Sequence, residues 1–83
     1  MLVNRYGLHA RPAMQFVDLA GRYGAAVSVG TDERRVDGKS IIGILTLGAA
    51  KGVELIIAAS GEDAEEAVAA LAELVARGFA DLD

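Results

Sequence analysis

The only histidine of the 83-residue chain, His9, stands two positions before an arginine, Arg11. Residues 7–13 read Gly-Leu-His-Ala-Arg-Pro-Ala, and apolar residues at helical spacing begin near Ala10. The first N–H groups of a helix lack an intrahelical partner, so a helix N-terminus binds anions. A guanidinium fits phosphate geometry, and a neutral imidazole is a nucleophile toward phosphorus. The pattern fits phosphoryl chemistry at His9, with Ala10, Arg11 and Pro12 at the phosphate. The alternative is a capping histidine beside an unrelated arginine.

Two other patterns suggest chemistry less specifically. Gly38-Lys39-Ser40 resembles the end of a P-loop, but Glu33 stands where the first glycine of that motif belongs, and its carboxylate would repel phosphate. The acidic residues of 62–66 stand at the predicted start of a helix, where carboxylates complement the helix dipole. With one histidine and no cysteine, the chain offers no multi-histidine or thiolate site, so we expect neither a metal nor a cofactor.

Composition excludes several classes of protein. The hydrophobic fraction of 53% argues against disorder, and the absence of cysteine excludes disulfides and fits a reducing cytoplasm. No apolar run is long enough to span a membrane. The net charge is −4, and no basic run of the kind that binds nucleic acid is present. We therefore expect an intracellular single domain over residues 1–83 that binds neither nucleic acid nor membrane.

The first half of the chain predicts a helix flanked by strands. The helix is predicted over residues 10–23, with Pro12 in its first turn and Gly24 as its C-terminal cap. The strands are predicted at residues 1–3, 26–29 and 34–36, with a turn at 31–33.

The second half predicts a short helix, a strand and a long helix. Ser40 fits the N-cap of the short helix, which ends near Gly48, and a strand follows over residues 53–59. Asp63 and Glu66 have the spacing of a capping box before the last helix. The apolar stripe of that helix, which ends at Gly78, consists of Ala67, Val68, Leu71, Leu74 and Val75. The order β-α-β-β-α-β-α predicts an α+β layer with the sheet covered on one face.

Two segments resemble the signatures of one protein family. Residues 7–13 are similar to the active-site signature of the histidine-containing phosphocarrier (HPr) family of the bacterial sugar phosphotransferase system. Residues 39–48, Lys-Ser-Ile-Ile-Gly-Ile-Leu-Thr-Leu-Gly, are similar to its second signature. The resemblance implies that His9 is phosphorylated at Nδ1 and that Arg11 helps to bind the phosphate. It also implies an open-faced β-sandwich, a four-stranded antiparallel sheet with three helices on one face, whose first strand is shortened here.

The same resemblance implies partners and regulation. His9 would accept a phosphoryl group from enzyme I and pass it to IIA-type components of sugar transport. Ser40 would be a regulatory phosphorylation site for a serine kinase or phosphorylase, or else simply the cap of its helix. We expect a monomer in the cytoplasm.

Docking is predicted through an exposed apolar patch. The consecutive Ile41 and Ile42 of a short helix cannot both be buried on one face, which favours exposure. The predicted patch consists of Met14, Ile41, Ile42 and Leu45. The alternative places these four side chains in the core; if they form a patch, Ile44 and Leu47 are the buried members of the helix.

Two other functions remain open. A nitrogen-regulatory paralogue would share the phosphohistidine chemistry but feed a signalling cascade, and its IIA partner would distinguish it. A non-phosphorylated module would bind a transcription regulator, but such a module has no need of a nucleophile at His9.

Overall fold

A computed structural model describes residues 10–47 and 53–78 of the chain. The helices are α1 (Ala10–Ala20), α2 (Ile41–Leu47) and α3 (Ala64–Ala76), and the strands are β1 (Ala26–Gly30), β2 (Arg35–Asp37) and β3 (Ile56–Ser60). From α1 onward their order is the predicted one. The strand predicted at residues 1–3 and the helix end predicted at Gly48 lie outside the described residues.

The three strands form an antiparallel sheet in the order β2-β1-β3. Val29 lies in the middle strand, paired with Val36 of β2 and Ile57 of β3. A Cβ at Gly30 would overlap the carbonyl oxygen of Arg34, so the tight β1–β2 hairpin requires glycine at this position. β2 begins one residue later than predicted because the Arg34 carbonyl closes the turn, accepting an N–H from the residue after β1 at 2.8 Å.

The core lies between one face of the sheet and the three helices. Alternate residues of β1 face it, so Val27 and Val29 are buried while Ala26 is exposed. The buried cluster consists of Ala13, Phe16, Ala20, Val27, Val29, Ile44, Ala67, Leu71 and Val75. This arrangement confirms the predicted open-faced α+β sandwich with helices on one face, and the described residues supply three of its four predicted strands.

α1 ends at Ala20, three residues earlier than predicted. The N–H groups of Arg22 and Tyr23 donate to carbonyls three residues back, at 3.1 and 3.2 Å, which is turn geometry rather than α-helix geometry. The prediction that Gly24 caps the helix is wrong. Its N–H donates instead to Oδ2 of Asp63 at 2.9 Å.

β3 begins at Ile56, whereas the prediction began it at Val53. Ile56 pairs with Gly30, the last residue of β1, so the residues before Ile56 have no partner in β1. Val53 and Leu55 still pack against the core together with Ile57, so the predicted alternation of faces is confirmed.

Asp63 is the N-cap residue of α3 as predicted, but the predicted capping box is wrong because its side chain makes no hydrogen bond to the helix. At the other end, Arg77 is the C-cap and Gly78 follows with a left-handed φ of 65°, so the predicted end at Gly78 is confirmed. No helix within the two described segments is long and apolar enough to cross a bilayer.

Candidate functional site

The first turn of α1 is where the sequence places the chemistry. α1 begins at Ala10, and His9, the residue before it in the chain, lies outside the described residues. The Arg11 side chain is exposed, and within the described part of the chain no group pairs with its guanidinium. The turn therefore combines an exposed cation with the positive end of a helix dipole, which is the electrostatic environment that an anion favours.

Pro12 fixes the position of this turn. Its ring is buried, and its constrained φ suits the first turn of a helix. Because proline has no N–H, only Ala10 and Arg11 of the predicted phosphate-binding residues offer backbone donors. Pro12 therefore serves the predicted site as an anchor to the core.

A second candidate surface lies where α1 and α2 meet. The exposed fractions are 62% for Met14, 71% for Ile42 and 40% for Leu45, and Ile41 is half-buried. These four residues are called the α1/α2 patch below. Met14 and Ile41 of this patch line one groove. Contiguous exposed apolar side chains mark protein-interaction sites, so the patch is the candidate docking surface.

The remaining apolar residues of α2 face the opposite way. Ile44 is fully buried in the core, and Leu47 packs against it. Ile42 and Leu45 face solvent as the patch prediction requires. The prediction that Ile41 is exposed is wrong, because Ile41 is half-buried and packs against the core together with Leu47. α2 contains no charged residue, so its exposed face is apolar apart from Thr46.

A groove of about 650 Å³ runs beside the patch. It is lined by Met14, Gln15, Val17, Asp18 and Ile41. The Asp18 carboxylate lies 3.6 Å from the Arg22 guanidinium one turn later, and both side chains are largely exposed. Such surface pairs contribute little to stability, and Asp18 is the charged residue that lines the groove.

Ser40 caps α2, as predicted. Its hydroxyl oxygen accepts a hydrogen bond from the Gly43 N–H at 3.1 Å, and its carbonyl accepts one from the Ile44 N–H at 3.0 Å. A Cβ at Gly43 would lie 3.3 Å from both the Ser40 hydroxyl and Val36 Cβ. Glycine at this position therefore lets α2 lie close to β2 while the cap is kept.

The turn between α1 and β1 is held by two distant side chains, and the sequence analysis did not predict this role for either of them. The Asp63 carboxylate accepts hydrogen bonds from the N–H groups of Gly24 at 2.9 Å and Ala25 at 2.8 Å. The Lys39 ammonium donates to the Tyr23 carbonyl at 2.7 Å. Since these pairs are separated by 39, 38 and 16 positions, no local spacing in the sequence indicates them.

These bonds favour the ionised form of Asp63. The hydrogen bond from Gly24 lowers the pKa of the Asp63 carboxyl below its ordinary value of 3.8, against the opposing effect of partial burial. The Ala25 N–H and the positive charge of Lys39 lower that pKa further. Asp63 is therefore a structural anion that fastens the start of α3 to the start of β1.

The acidic residues around the start of α3 do not gather into a metal site. Glu62, Glu65 and Glu66 are exposed, while Asp63 faces the α1–β1 turn. Across residues 10–47 and 53–78, no three His, Cys, Asp or Glu side chains lie close enough together to hold a metal ion.

The fold and the first turn of α1 define a small open-faced α+β sandwich with an anion-favouring helix start, and comparison with known proteins gives its family. The chain matches the family described as "PTS HPr component phosphorylation site" over residues 1–77. It is 47% identical over 79 residues to phosphocarrier protein HPr of Pseudomonas aeruginosa, covering 94% of this chain and 88% of that protein. The chain therefore belongs to the HPr phosphocarrier family of the phosphotransferase system, and the resemblance noted in the sequence is confirmed.

Solved structures agree with this assignment. The crystal structure of HPr-C-His from Thermoanaerobacter tengcongensis is similar with a TM-score of 0.92 at 39% identity, covering 99% of this chain and 92% of that one. A crystal structure of an HPr dimer from the same organism is similar with a TM-score of 0.80 at 40% identity, covering 95% and 91%.

Proposed function

We propose that this chain is a phosphoryl carrier whose His9 accepts a phosphoryl group from the phosphohistidine of enzyme I and passes it to a histidine of a IIA-type component. The observation that carries the proposal is the match, over residues 1–77, to a family defined by its phosphorylation site. The exposed Arg11 in the first turn of α1, two residues from the chain's single histidine, supports it.

The transfer step needs little covalent help from the protein. The Nδ1 lone pair of His9 forms a bond to phosphorus while the bond between phosphorus and the donor histidine breaks. The attacking imidazole loses one proton and the leaving imidazole gains one, so charge balances. Positioning and charge stabilisation dominate such a step. The backbone N–H groups of Ala10 and Arg11 and the Arg11 guanidinium would hold the phosphoryl oxygens, with Pro12 keeping the turn in place.

The α1/α2 patch is the proposed docking surface for both enzyme I and the IIA component. Its exposed apolar side chains, Met14, Ile42 and Leu45, lie on the helix that follows His9 and on the helix packed beside it. One surface used for donor and acceptor in turn suits a carrier, because both partners must bring a histidine to the same atom.

Ser40 is the proposed regulatory site. A serine kinase would add, and a phosphorylase remove, a phosphate at the N-cap of α2, next to Ile41 and Ile42. A phosphate adds nearly two negative charges, which favour a helix N-terminus but are costly to cover with an apolar partner.

The proposed unit is one domain over residues 1–83 that acts as a monomer, since one histidine meeting two partners in succession needs no second copy. It would act in the cytoplasm, where the phosphoenolpyruvate used by enzyme I is made. The proposed pathway is sugar uptake. The identity of the IIA protein that accepts the phosphoryl group distinguishes this pathway from a nitrogen-regulatory one.

A two-step transfer experiment tests this proposal. The chain is labelled with enzyme I and radioactive phosphoenolpyruvate, purified, and mixed with a sugar-specific or a nitrogen-regulatory IIA protein. We expect the label to move to the sugar-specific IIA protein faster than to the other. Label that stays on the chain with both acceptors would contradict a carrier function.

A further inference from the structure

We propose that Met14 is a reversible oxidation site through which peroxides weaken docking at the α1/α2 patch. This inference rests on the proposed function, because the effect is exerted on recognition of enzyme I. Met14 is the single methionine among the described residues, and its side chain is 62% exposed. Exposure gives an oxidant direct access to the thioether sulfur.

The chemistry is simple and balanced. The sulfur lone pair attacks one oxygen of hydrogen peroxide, so that a sulfur–oxygen bond forms and the oxygen–oxygen bond breaks. The thioether is oxidised by two electrons to a sulfoxide, and the peroxide is reduced to water. Methionine sulfoxide reductases reverse the change, which makes it a switch rather than permanent damage.

The fold does not depend on this side chain. α1 meets the core through Ala13, Phe16 and Ala20, all fully buried, whereas Met14 faces the groove beside Ile41. Oxidation adds a polar oxygen to a side chain that already faces solvent. We therefore expect the folded protein to keep its stability when Met14 is oxidised.

Docking, in contrast, depends on Met14 being apolar. A sulfoxide oxygen is a strong hydrogen-bond acceptor, and covering it without a donor is unfavourable. Of the other side chains that line the groove, Val17 and Ile41 offer no donor and the Asp18 carboxylate only accepts, which leaves the half-buried Gln15 amide. A partner that covers Met14 in its reduced form therefore loses an apolar contact and gains an unsatisfied oxygen after oxidation.

The test compares the reduced chain, the peroxide-treated chain, and the treated chain after incubation with methionine sulfoxide reductases. The measured quantities are the KM of enzyme I for the chain, the melting temperature, and the added oxygen located by mass spectrometry. We expect oxygen on Met14, an unchanged melting temperature and recovery after reduction. The KM should rise about tenfold, the order expected for one unsatisfied polar group at an interface. Met14→Gln, without peroxide, should raise the KM in the same direction.

Met14→Leu is the matched control, since it keeps an apolar side chain and retains Met1. Its KM should not respond to peroxide. An unchanged KM after complete oxidation of Met14, an equal loss in Met14→Leu, or a melting temperature that falls with the KM rise would each overturn the inference. A reduced chain that accepts no phosphoryl group contradicts the proposed function and this inference together, whereas normal acceptance before and after oxidation contradicts this inference alone.

Discussion

The hydroxyl oxygen of Ser40 lies 3.1 Å from the backbone nitrogen of Gly43 and accepts its N–H, so the side chain proposed as a regulatory site also holds the first turn of α2. The exposed Ile42 and half-buried Ile41 follow directly after it. Any change at Ser40 therefore affects both the stability of α2 and docking at the α1/α2 patch. A negative charge there should stabilise the helix and weaken docking.

Replacing Ser40 separates these effects. Ser40→Asp should keep or raise the melting temperature, because aspartate is as good an N-cap as serine and favours the helix dipole. It should nevertheless slow phosphoryl acceptance from enzyme I, because docking must desolvate the new charge. Ser40→Ala, the control, should lose ~1 kcal/mol of stability through the missing cap. If Ser40→Asp accepts phosphate at the wild-type rate and affinity, Ser40 is a cap and nothing more.

Removing the guanidinium of Arg11 should slow transfer without abolishing it. Arg11→Ala loses one charge-assisted contact to the phosphoryl group while the backbone donors remain, which corresponds to ~2 kcal/mol or some tens-fold in rate. Rapid-quench kinetics with enzyme I and with the IIA component measure the effect in both directions. Arg77→Ala removes an exposed arginine at the end of α3, away from the α1/α2 patch, so it is the matched control and should transfer nearly normally. Equal rates for the two variants would show that Arg11 takes no part in the step.

A charge placed in the α1/α2 patch should disrupt docking but not folding. Ile42 is 71% exposed, so Ile42→Lys removes little packing from the free protein. Burial of an isoleucine at an interface contributes ~2 kcal/mol, so affinity for enzyme I should fall about 30-fold. Isothermal calorimetry measures this fall against Ala69→Lys, a change at an exposed position of α3. Unaltered binding of Ile42→Lys would place the docking surface elsewhere.

Asp63 should make stability depend on pH in the acid range. The Gly24 and Ala25 N–H groups hold its pKa below 3.8 in the folded chain, so its contribution is present above that pH. This contribution of Asp63 to the free energy of unfolding decreases as the pH falls below 3.8. It is lost once the pH is below the lower pKa of the folded state. Asp63→Asn, with one acceptor oxygen for two donors, should melt at a lower temperature than wild type at pH 7. The difference should shrink in melts near pH 3, and a difference independent of pH would exclude this role.

Local patterns predicted most of the fold. The stripe of α3 follows a helical period that survives in the structure, with Ala67, Leu71 and Val75 buried. The Ser40 cap and the glycine end at Gly78 depend on neighbours within a few residues, so the sequence carries their signal. These features need no knowledge of the rest of the chain.

The features that were missed depend on distant partners. Asp63 has the spacing of a capping residue, but its carboxylate finds two backbone N–H groups across the molecule and leaves α3 without a side-chain cap. The start of β3 depends on where β1 ends, because Ile56 pairs with Gly30. Neither outcome can be derived from the residues next to Asp63 or Ile56 in sequence.

The candidate site also has features that local sequence predicts and features that depend on distant packing. The prediction of phosphoryl chemistry at His9 needs only the motif around it, since its residue types and spacing are local in sequence, and it stays a prediction. Which α2 side chains are exposed depends on how the helix packs on the core, where Ile44 is buried and Ile42 is not. The consecutive Ile41 and Ile42 indicated only that one of the two must face solvent.

Locating the phosphoryl group by mass spectrometry, after incubation of the chain with enzyme I and phosphoenolpyruvate, tests the central claim most directly. We expect one phosphate, on His9, that is lost in acid and survives alkali as a phosphoramidate does. His9→Ala should accept none while melting like the wild type. A phosphate on another residue, an acid-stable label, or unchanged acceptance by a folded His9→Ala variant would contradict the assignment of His9 as the phosphoryl-carrying residue.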